Sequence, residues 1–157
     1  ELQKDYDLKF QELDWELENH PDDDSITDRY LKLLNQYLNS GIADGNERSV
    51  KLRAYSEMLG RKLRDNPERL SLWRDKVNVD IGIREYDDAF EEIRYITDHW
   101  SRNETGYLLM LRYYSAVQSR HGIDRTLEEI RRKNIHLTPQ GRREIEFWQN
   151  EKEVREA

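Results

Sequence analysis

The chain has 157 residues, 36% of them apolar and 38% charged, and a net charge of −7. That length fits one domain or a piece of a longer array, and the acidic balance argues against general nucleic-acid binding. With no Cys there is no disulfide, thiolate nucleophile or Cys-based metal site, no apolar run approaches the roughly 18 residues of a membrane span, and no signal peptide is visible.

In chain order, Leu2, Tyr6, Phe10, Leu13 and Leu17 form one helical stripe that stops near His20-Pro21, since proline disfavours the helical state in the residue before it. Ser25 and Asp28 read as an approximate capping box for a helix with Tyr30, Leu33, Leu34 and Tyr37. Residues 40–46 are expected to be the longest loop. Leu52, Tyr55, Leu59 and Leu63 mark the next helix. Asn66-Pro67 reads as an N-cap with proline at the first helical position of a helix bearing Trp73, Val77 and Ile81. Gly82 and Asp87-Asp88 separate it from a helix with Ala89, Ile93 and Ile96. Asn103 caps a helix through Tyr107, Leu111 and Tyr114 to about Arg120, which His121-Gly122 is expected to break. Asp124 then caps a short helix with Leu127 and Ile130. Thr138-Pro139 starts the last one, with Ile145 and Trp148 on one face. The expectation is all-α, eight helices, with no strand-like alternation.

Trp73 and Tyr107 lie 34 residues apart and open the same apolar pattern. Trp73, Val77, Ala89, Ile93 and Ile96, with Tyr86 before the small residue, resemble one tetratricopeptide repeat. Tyr30, Leu33, Leu34 and Tyr37, and again Tyr107, Met110, Leu111 and Tyr114, match its first helix. Pro67 stands where the preceding unit should end. The resemblance implies a tetratricopeptide-like α-solenoid of antiparallel helix pairs over 1–157, as a single domain and a fragment of a longer protein, which the opening Glu1 also suggests. Its units lie near 1–24, 25–66, 67–102 and 103–137, with a terminal helix at 138–157. Lys76 and Asp80 depart from the pattern, standing at apolar and aromatic places. Ile123 departs too, where a small residue is expected. The unit from Tyr30 is about nine residues too long, with the excess expected in the 40–46 loop. The half-repeat of RNA-processing scaffolds and other helical bundles remain open. In such a register Trp73, Tyr30, Tyr37, Tyr107 and Tyr114 are core residues, because a helix pair buries its stripe only against its neighbours.

No catalytic, cofactor or metal residue is assigned. His20, His99, His121 and His136 have no second ligand at a strong metal spacing. Asp22-Asp23-Asp24 lacks the spaced pattern of a calcium loop, and no glycine-rich phosphate loop occurs. In the resembled family the first helix of each unit lines a concave groove. Carried over, that face comprises Leu31, Asn35 and Leu38; Arg74, Asn78 and Ile81; and Leu108, Arg112 and Ser115. Asn and Arg there suit a peptide backbone or carboxylate. Arg74 and Asn78 match two places of the family's carboxylate clamp, but Asp75 and Leu109 break the rest of it, so a chaperone C-terminus is not expected.

The implied function is a non-enzymatic scaffold holding a peptide or protein partner. The alternative is an architectural spacer in a longer repeat array, for example of a bacterial envelope or secretion assembly. Residues 1–24 carry ten Asp or Glu against two Lys or Arg, and residues 120–143 carry seven Lys or Arg against three Asp or Glu. This polarity reads either as two solvated ends or as a docking signal toward flanking repeats or a partner.

Overall fold

A computed structural model describes the backbone of residues 1–156 and the side chains of residues 1–151. It has eight helices: α1 (Leu2–Asn19), α2 (Asp24–Asn39), α3 (Gly45–Asp65), α4 (Leu70–Gly82), α5 (Tyr86–His99), α6 (Glu104–Ala116), α7 (Arg120–Arg132) and α8 (Pro139–Glu156). No strand occurs among the described residues. The chain falls into two compact units, one of Glu1–Ile83 and one from Arg84 on. The boundary lies inside the expected unit 67–102, between α4 and α5.

In the first unit each helix packs on the next: α1 on α2, α2 on α3, α3 on α4. The α1 stripe meets α2 at Phe10, whose ring lies 5.6 Å from Tyr37 and 5.8 Å from Tyr30. Both tyrosines keep their polar tips satisfied, as buried phenols require. Tyr30 donates to Asp14 and Tyr37 to Gln3. A second cluster of Leu59, Leu63 and Leu72 joins α3 to α4. The second unit packs α5 on α6, then α6 and α7 on each other and on α8. Its core is Tyr107, Leu108, Leu111, Ile123, Ile130, Ile135, Ile145 and Trp148.

Several local expectations change. The α2 cap is Asp23, which accepts from the Ser25 amide at 2.9 Å, while Asp28 pairs with Lys62 across the helix pair. Asn66 closes α3 instead of opening α4, which begins at Leu70. The excess length of the second unit lies in the 21 residues of α3, and the 40–44 connection is shorter than the one at 133–138. Gly82 is the last residue of α4; the turn follows at Arg84, with φ +64°. α6 ends at Ala116, not near Arg120. Ser119 caps α7, and His121, Gly122 and Asp124 lie inside it.

Gly122 misleads as a breaker because it serves a close crossing. A Cβ there would stand 2.2 Å from the Tyr114 ring. The close approach at this crossing is made at Gly122, one position before Ile123. Trp73 and Tyr114 are half-buried, whereas Tyr30, Tyr37 and Tyr107 are buried as expected of core residues.

Candidate functional site

Of the nine groove-face positions, six lie in the first unit. On α2, Leu31 is half-buried and packs against both clusters of that unit. Asn35 is exposed and its Oδ1 accepts from Asn39 Nδ2 at 3.1 Å. Leu38 is half-buried, and its carbonyl accepts from Arg48 at 3.1 Å. On α4, Arg74 and Asn78 are exposed and four residues apart, hence on one helix face. Arg74 meets Asp75 at 3.4 Å with half of its side chain still accessible, an exposed ion pair that leaves the guanidinium available. Ile81 is half-buried beyond them.

The three positions on α6 are placed differently. Leu108 is buried in the core of the second unit. Arg112 reaches α8, where Nε lies 2.7 Å and a terminal nitrogen 3.1 Å from the two carboxylate oxygens of Glu144. Such a two-pronged pair fixes both partners. Ser115 is half-buried. Arg74 and Asn78 are therefore the pair that presents polar groups together, while Leu31 and Leu108 pack inward and Arg112 ties α6 to α8.

Lys76 and Asp80, the two departures from the repeat pattern, form one buried unit. Asp80 is 1% exposed. Its carboxylate accepts from Ser56 of α3 at 2.6 Å and from Lys76 at 2.8 Å. A carboxylate so buried must be paired, and a lysine one turn away with a hydroxyl across the helix interface does this. The sequence marks both residues as exceptions, but Ser56 lies on a different helix and gives no signal.

The 34-residue offset recurs in the backbone. α4 and α6 start and end 34 residues apart. So do their αL exit residues, Arg84 and Gln118, and the closing residues of α3 and α5, Asn66 and Trp100, which share φ near −130° and ψ 57–58°. Trp73 donates to the Pro67 carbonyl and Tyr107 to the Ser101 carbonyl, both at 2.9 Å and both spanning six residues. Family models, curated proteins and solved structures give no match to this chain.

One surface feature is absent from the groove account. Leu8 and Trp15 of α1 are 60% and 64% exposed. Their seven-residue spacing puts them on one face, opposite the Tyr6–Phe10–Leu13–Leu17 stripe. The signal was in the sequence, as a second apolar pair out of phase with the first.

Proposed function

We propose that the chain is a tetratricopeptide-like, non-enzymatic scaffold whose helix pairs stack as an α-solenoid and hold a peptide or protein partner on the first-helix face. The observation that carries this reading is the paired hydrogen bond of Trp73 and Tyr107 to a carbonyl six residues upstream, repeated at 34 residues with the helix bounds around it. Repetition of a polar detail, and not of apolar spacing alone, is what a duplicated structural unit leaves behind. The surface that supports the partner role is the α4 face of Arg74 and Asn78, a cation and an amide one turn apart. These groups suit a peptide backbone or carboxylate. The net charge of −7 disfavours nucleic acid as that partner.

The test uses a partner recovered with the whole 157-residue chain. Arg74→Ala and Asn78→Ala should each weaken its binding while helicity and melting temperature hold. If both substitutions are silent, this face is not the binding site. A purely architectural role is favoured by the α6 geometry, where Leu108 is buried and Arg112 is engaged by Glu144. In that case no partner binds the α4 face, and the repeats act as a spacer.

A further inference from the structure

We propose that copies of this chain associate through unlike faces, the outward face of α1 in one copy receiving the first half of α8 from another. On α1, Leu8 and Trp15 form an apolar strip flanked by the exposed carboxylates of Asp5, Glu12 and Glu18. On α8, Phe147 is 57% exposed, with Arg143 one turn before it on the same side. Around the start of α8 the chain carries Arg131, Arg132, Lys133, Arg142 and Arg143, all exposed.

Two observations select this occupant. Leu8 and Trp15 stand together on α1 as exposed large apolar side chains, and α8 offers the exposed ring of Phe147. The charges are opposite: the α1 end is strongly acidic and the 120–143 stretch strongly basic. Pairing α1 with α1 would set carboxylates against carboxylates, which complementarity disfavours. The contact is therefore between unlike faces, and each copy carries one of each. This proposal does not depend on the groove reading, since none of its residues lies on α2, α4 or α6.

Sedimentation velocity of the 157-residue chain over a concentration series tests it. Wild type should associate as concentration rises and dissociate when salt is added. Trp15→Glu and Phe147→Glu each replace an exposed side chain, so both should stay helical by circular dichroism. Each alone should associate about thirtyfold or more weakly, the range for an interfacial anchor residue. Mixed one to one, the two variants retain one good α8 face and one good α1 face between them. The mixture should form a dimer and nothing larger. A wild type that stays monomeric throughout overturns the proposal. So does loss of association in Trp15→Glu but not in Phe147→Glu, which would indicate α1–α1 pairing, or a mixture that stays monomeric.

Discussion

At the scale of single residues, the Asp80 site shows how a break in pattern becomes a structural requirement. Its carboxylate is held by Lys76 and Ser56 within a cluster that otherwise joins α3 to α4 through leucines. Removing one partner of a buried pair leaves a charge without compensation, which costs far more than the pair itself contributes. Lys76→Met should lower stability by about 3–5 kcal/mol in denaturant unfolding, because it leaves the buried Asp80 carboxylate without its cation. Lys76→Met with Asp80→Leu should recover most of that loss, because similar volume replaces both charges. A double variant as unstable as Lys76→Met would show that the pair itself matters. Sequence marked the two positions as misfits but could not supply the reason, since the third member lies on another helix. Trp73 shows the converse. The pattern placed it in the core, yet its indole N–H reaches the Pro67 carbonyl and it stays half-buried.

At the scale of helices, existence and type were legible and termini were not. The eight stripes each became a helix because apolar spacing reports a face directly. Termini depend on which of several polar residues takes the cap. Around α2 polar residues run from Asp22 to Ser25, and Asp23 rather than the expected Ser25 does the capping. Around α7 the glycine looked like punctuation, while the actual exit from α6 is Gln118 in the left-handed region. There the Ser119 amide bonds back to the Tyr114 carbonyl and the Gln118 amide to that of Ser115, the paired closure of a Schellman motif. Asn134 and Ile135 repeat it at the end of α7, with Ile135 packed in the same core as Ile130.

The α2 cap also makes a pH prediction. Hydrogen bonds from the Ser25 hydroxyl and amide hold the Asp23 carboxyl below the usual aspartate range. A depressed folded-state pKa means the cap's stabilisation is complete above the ordinary aspartate pKa and is lost as pH falls through the lowered value. Asp23→Asn keeps a capping oxygen but does not titrate. The variant should therefore lose less stability than wild type across that acid interval, read as melting temperature against pH. Parallel curves for the two proteins would remove Asp23 from the account.

At the scale of the whole chain, the two compact units could not be read from the repeat register, which runs through their boundary without a break. On each helix the spacing of the candidate positions was legible, but not their burial or pairing. Periodicity says which residues share a side and is silent on which of them a neighbouring helix claims, as Glu144 claims Arg112.

One contact at the start of α8 bears on the order of events during synthesis. Thr138 stands just before α8 and accepts from the Gly141 amide at 3.1 Å. The reciprocal half of that cap ordinarily comes from a Glu or Gln at the place of Gly141. Here it comes from Glu104 at the start of α6, which takes the Thr138 amide and hydroxyl. Gly141 leaves room for it, since a Cβ there would stand 2.7 Å from the Glu104 carboxylate oxygens. The start of the last helix is therefore set by a residue that leaves the ribosome 34 positions earlier. A peptide of residues 138–151 should show little helix by circular dichroism, and Glu104→Ala in the full chain should destabilise by about 1 kcal/mol. A strongly helical peptide would mean that α8 forms without that instruction. With it, α8 waits for a segment made before it.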